Sequence, residues 1–146
     1  MGELGLTFLA QFVAEAAGGR VLAALARKHG GVRVSYGWIM QHLMGGPQSV
    51  TYVARALGIS QQAVSKSLRE LERLGYVKES DGEDGRARYV ALTARGQDLV
   101  AAARRSRAAV DDDVRRLLGA DTYEKTRTAL RRTLEHLAAA AVRARA

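Results

Sequence analysis

The sequence predicts a mainly α-helical chain carrying one small β-hairpin, an α+β fold, and three observations predict it. Apolar residues recur at helical spacing along most of the 146 residues. The only proline is Pro47, which leaves everything after it free to build long helices. One short stretch, residues 76–92, holds two strand-like runs around a turn rich in Asp, Glu and Gly. At roughly 100–200 residues per domain, the chain is expected to form a single domain over 1–146.

From Leu4 to Lys28, Phe8, Leu9, Phe12, Val13 and Ala16, then Val21, Leu22 and Leu25, recur at helical spacing. Gly18-Gly19 makes this either one weakened helix or two. After Gly30-Gly31, the segment Tyr36 to Met44 reads as a helix ended by Gly45-Gly46-Pro47. Ser49 or Thr51 opens a short helix carrying Val53, Ala54 and Leu57. A longer helix follows from Gln61 to Leu74, with Val64, Leu68 and Leu71 on one face and Gly75 as its stop. Tyr76-Val77-Lys78-Glu79 and Arg88 to Leu92 read as the strands of a hairpin. Thr93 is placed to cap a long helix reaching Leu118, and Asp121 or Thr122 starts the last one. Leu99, Val110 and Leu117, then Leu130, Leu134 and Leu137, continue a near-heptad seam along these two helices.

Composition narrows the function. Lys and Arg number 23 against 15 Asp and Glu, a net charge of +8, which points to a polyanionic partner. Aromatics at 5% are too few to stack the bases of a single strand, so double-stranded DNA fits better. The absence of cysteine excludes disulfides, thiolate metal sites and thiol nucleophiles. His29, His42 and His136 stand apart without ligand-spaced partners, and Asp111-Asp112-Asp113 point in different directions on a helix. No phosphate-binding, nucleophile-elbow or metalloprotease motif occurs, so neither a metal, a cofactor nor an enzyme activity is expected. The early apolar stretch is broken by Gln11 and Glu15, which argues against export or membrane insertion and for a cytoplasmic chain.

The run from Val50 to Leu68 carries the functional reading. Ala54 is small enough for a second helix to cross it, Gly58 can take the positive φ of a tight turn, and Ile59, Val64 and Leu68 are placed to lock two helices together. Ser60 caps the second helix, so unsatisfied amides and a positive dipole end lie at its N-terminus. The face opposite Val64 and Leu68 presents Gln62, Lys66, Arg69 and Arg73, flanked by Gln61 and Ser65. Amides, hydroxyls and cations read base edges and phosphates in the major groove, although the same residues suit a solvated helix face. The hairpin favours the first reading, because a helix-turn-helix followed by a two-stranded wing is a winged helix. Arg86 and Arg88 sit where the wing tip turns back, suited to a minor groove, and Asp84 is placed to orient Arg86.

Leu71-Glu72-Arg73-Leu74-Gly75-Tyr76-Val77, Asp84-Gly85-Arg86 and Leu92-Thr93-Ala94-Arg95-Gly96 resemble, in this order, motifs of the MarR family of bacterial transcriptional regulators. The resemblance is specific over residues 49–96. It implies a winged helix-turn-helix over 34–93 and a helical dimerisation region over 1–30 and 94–146, with the terminal helices of both chains interlocking. It also implies a homodimer on a pseudo-palindromic operator and a small aromatic or anionic effector. Tyr36, Trp38, Met40 and His42 lie where that family's effector pocket forms, although helical spacing of this kind more often means plain core. The expected function is a dimeric, sequence-specific repressor released by a ligand; a non-specific architectural or protein-interaction module is the competing expectation.

Overall fold

The computed structural model describes residues 4–82 and 85–145. In chain order these form α1 (Leu6–Leu25), α2 (Val34–His42), β1 (Gln48–Ser49), α3 (Val50–Leu57), α4 (Gln61–Arg73), β2 (Val77–Ser80), β3 (Tyr89–Leu92), α5 (Ala94–Leu118) and α6 (Ala120–Arg145). The chain groups into two compact units, Met1–Arg107 and Ala108–Ala146.

The first unit is built around the α3–α4 pair. Ser49 opens α3, its Oγ accepting from the Tyr52 N–H at 3.1 Å, which decides between the two caps the sequence offers. Both helices end in the same way. Gly58 takes φ +66 and Ile59 N–H donates back to the Ala54 carbonyl at 3.1 Å; Gly75 takes φ +80 and Tyr76 N–H donates to the Leu71 carbonyl at 2.9 Å. These six-residue closures satisfy the last carbonyls, and a side chain at either glycine would be strained by the positive φ. Val53, Ala54, Val64, Leu68 and Leu71 are buried, as expected. Ile59 is not: it is 46% exposed, because only its backbone closes the α3 cap while its side chain leaves the turn outward.

The hairpin forms with register Val77 to Leu92 and Ser80 to Tyr89. A third strand, not legible in the sequence, joins it. Gln48 and Ser49 pair antiparallel with Val90 and Tyr89, giving the order β1-β3-β2. Two residues carry no alternation pattern, and β1 exists only because β3 presents an unpaired edge to it.

Helix α1 runs unbroken through Gly18-Gly19. Gly18 is buried, and a Cβ there would sit 3.2 Å from Val34 Cγ2, so the missing side chain lets α2 begin close to α1. By length and composition α1 is also apolar enough to cross a membrane, but Gln11 donates to Glu15 on its exposed surface. Leu6, Phe8, Leu9, Phe12 and Val13 lie exposed along it. In the second unit Leu117, Leu130, Leu134 and Leu137 are exposed likewise. The seam expected from the sequence is therefore split: Leu99 and Val110 are buried within the single chain, whereas Leu117, Leu130, Leu134 and Leu137 are not.

Candidate nucleic-acid interface

Ser60 Oγ accepts from the Ala63 N–H at 3.1 Å, so the cap expected from the sequence starts α4. One side of that helix is closed by fully buried Val64, Leu68 and Leu71. The other exposes Gln61, Gln62, Lys66, Arg69 and Arg73, with Ser65 half-buried beside them. The amide-rich end of a capped helix and a row of amide, hydroxyl and cationic groups thus share one solvent-facing surface.

The cations on this surface are not equivalent. Arg73 is folded onto Glu70 through Nε to Oε2 at 2.9 Å and Nη2 to Oε1 at 2.6 Å. That hydrogen bond holds the Glu70 carboxyl below its usual range and raises Arg73 in turn. Among the described residues, Lys66 and Arg69 have no carboxylate within ion-pair distance. Arg55 on α3 adds an exposed cation that the motif reading passes over. Its signal is present in the sequence: the first helix of such a pair lies across the phosphate backbone.

The wing separates its arginines. Arg86 is exposed, whereas Arg88 turns inward to Glu79 at 2.8 Å and Glu72 at 3.0 Å. Asp84, expected to orient Arg86, lies outside the described residues.

A small cavity opens inside the first unit. Its volume is about 60 Å³, and it is lined by Gly18, Val21, Leu22 and Leu25 of α1, by Val32 to Val34, Gly37, Met40 and Gln41 around α2, and by Leu99, Val100, Ala103 and Arg107 of α5. The walls are apolar except for Arg33, Gln41 and Arg107, and Arg104 donates to Gln41 Oε1 at 2.8 Å. Of the pocket candidates offered by the sequence only Met40 lines it. Tyr36 is buried elsewhere, Trp38 is 65% exposed and His42 stacks edge-on against Tyr52. Residues two apart on a helix point about 200° apart, so these four positions divide between two faces, Tyr36 with Met40 and Trp38 with His42. The α1 and α5 side chains that complete the cavity read in sequence as ordinary core.

The model of the MarR family matches residues 31–87. Solved structures carry the likeness of fold across most of the chain. MepR of S. aureus in a complex with DNA superposes with a TM-score of 0.74 at 21% identity, covering 92% of this chain and 99% of that chain. CouR, a transcriptional repressor bound to a 23-mer DNA duplex, gives 0.72 at 23% identity over 94% and 99%. A mutant of MarR from E. coli gives 0.70 at 15% identity over 92% and 99%. No curated protein matches by sequence.

The MarR-like motifs acquire physical roles in this fold. Thr93 Oγ1 donates to the Gly75 carbonyl at 2.6 Å and accepts from the Gly96 N–H at 3.0 Å, while Thr93 N–H donates to the Tyr76 carbonyl at 3.1 Å. One residue therefore caps α5 and stitches it to the turn that ends α4. Gly96 packs directly on the Tyr76 carbonyl oxygen, where any Cβ would overlap it. The Leu-Thr-x-x-Gly spacing is what that stitch requires.

Proposed function

We propose that the protein is a dimeric, sequence-specific regulator of transcription that binds double-stranded DNA, acting as a repressor in the cytoplasm. The observation that carries this reading is the α4 surface: a Ser60-capped helix whose exposed side bears Gln61, Gln62, Lys66 and Arg69 beside a wing bearing Arg86. In this arrangement α4 enters the major groove and the wing reaches the adjoining minor groove. The DNA complexes of MepR and CouR, which share the fold, support it. Two copies place two such helices on a pseudo-palindromic site whose half-sites lie about one helical turn, roughly 34–36 Å, apart. Exposed apolar side chains on α1 and on α6 supply surface for a second copy to cover.

The cavity between α1, α2 and α5 is the place for an effector. Its apolar walls and its cationic groups, Arg33 and Arg107, suit a small aromatic or anionic molecule. At about 60 Å³ it must widen to admit one, since small-molecule pockets run to about 300 Å³ or more. Widening would push α1, α2 and α5 apart, and α2 packs against the α3–α4 pair. That is a route from ligand to DNA-binding surface.

Selection from a random duplex pool tests the reading. A sequence-specific regulator favours its selected site over random duplex by about 10³-fold or more at physiological salt. A ratio near unity would instead establish an architectural DNA coater, and no duplex affinity at all a protein-interaction module.

A further inference from the structure

Arg88 precedes β3 by one residue, and its contacts reach three other elements. Its carbonyl accepts from the Val50 N–H at 3.0 Å, where α3 begins. Its Nε donates to Glu79 Oε1 of β2 at 2.8 Å, and its Nη2 to Glu72 Oε2 in the last turn of α4 at 3.0 Å. The Arg88 and Glu72 side chains are each 33% exposed. A guanidinium is suited to this position because separate nitrogens of one rigid fork reach two carboxylates, which an ammonium on a flexible stem cannot reproduce.

We propose that Arg88 is a positioning residue: it clamps the wing to the recognition helix and neutralises Glu72 and Glu79 at the junction between them, without itself touching DNA. The inference rests on the DNA-binding reading of α4. A winged helix gains from its wing only if helix and wing meet adjacent grooves of one duplex together, so the angle between them sets whether the second contact forms. The clamp lies at that joint. Without it, two carboxylates would also stand uncompensated beside a surface meant for phosphates. The wing arginine nearest the strand then acts through the protein's own carboxylates, and the wing's reach to DNA falls to residues nearer its tip.

The two roles open to Arg88 predict opposite signs. If it is a clamp, Arg88→Met and Glu72→Gln should each weaken binding to the selected duplex about three- to tenfold, and the double variant should bind no more weakly than Arg88→Met alone. The slope of log affinity against log salt should stay at the wild-type value, whereas Lys66→Met should lower it by about 0.9 for each phosphate left without its cation. Arg88→Lys should recover only part of the affinity. If Arg88 instead binds phosphate, Glu72→Gln would release it and tighten binding, and Arg88→Met would lower the salt slope; either result overturns the proposal. Hydrogen–deuterium exchange supplies a readout that needs no DNA: amides of Val77–Ser80 and Tyr89–Leu92 should exchange faster in both single variants while those of α1 and α5 do not change. Unchanged exchange at the wing in both variants overturns the clamp whatever the DNA result. A wild-type chain that binds no duplex overturns the DNA reading, and exchange then still decides whether the clamp exists.

Discussion

Lys66 and Arg69 project from α4 with no described carboxylate at ion-pair distance, whereas Arg73 is held by Glu70 in a two-pronged contact one turn away. A cation that must first leave a carboxylate gains less from a phosphate or a base, so the side chains of one helix face should differ in effect. Arg69→Ala or Gln62→Ala is expected to change sequence preference, costing about 1–3 kcal/mol at particular base pairs. Arg73→Ala should cost less than either. Quantitative binding to a panel of single-base variants of the selected duplex checks this, and a larger effect of Arg73→Ala than of Arg69→Ala would reverse the ranking. A second residue-scale prediction concerns acid stability. The Lys28 ammonium, hydrogen-bonded to Asp98 at 2.8 Å and aided by buried His29 at 3.0 Å, holds the Asp98 carboxyl below its usual value. A carboxyl lowered in the folded state contributes stability that is fully present above the unfolded value of about 3.9 and lost as pH falls through the folded one. Asp98→Asn should therefore flatten the dependence of the urea midpoint on pH below about pH 4 while leaving the wild-type curve steeper there. Neither partnership is legible in the sequence, where Lys28 and His29 lie 70 and 69 positions from Asp98, since ion pairs at such separations leave no local pattern.

At the scale of elements the local code is strong. Residue type and spacing place Ser60, Gly58, Gly75 and Thr93 at helix ends, and each occupies the role expected of it. Caps and left-handed turns act within a few residues, which is why they are readable from a single sequence. Ser60→Ala should cost about 1 kcal/mol in chemical denaturation and fray the first turn of α4. Because that turn carries Gln61 and Gln62, DNA affinity should fall with it, and reduced stability with unchanged affinity would separate α4 from the interface. Gly96→Ala should be costlier, about 1–3 kcal/mol or more, since its Cβ would overlap the Tyr76 carbonyl oxygen at the stitch between α4 and α5. A thermal midpoint equal to wild type would show that α5 can shift away from the turn freely. Periodicity does not reveal β1, and the helical spacing of Tyr36, Trp38, Met40 and His42 does not identify a shared wall. In both cases the deciding contact comes from another element, β3 for the strand and α1 with α5 for the cavity.

For the whole molecule the central expectation is association. Leu134 on α6 is 68% exposed in the single chain, with Leu130 and Leu137 exposed on the same helix. A carboxylate there would be harmless in an isolated chain but costly once a second copy covers it. Leu134→Asp should therefore remain folded by circular dichroism, sediment as a monomer at micromolar concentration where the wild type sediments as a dimer, and lose operator affinity with no DNA-facing residue changed. A wild type that sediments as a monomer, or a Leu134→Asp variant that dimerises and binds as before, would remove α6 from the interface. The sequence by itself determined the helix order, the hairpin, the caps, the winged-helix motif and the face of α4 that meets solvent, because periodicity, capping and turn chemistry operate over one or two helical turns. Only the tertiary structure decided that Arg88 is held by Glu72 and Glu79, which seam residues are core and which are exposed, that Ile59 turns outward, and which side chains close the cavity. Those depend on groups brought together from distant positions, and burial and ion pairing are properties of the packed chain rather than of any segment of it.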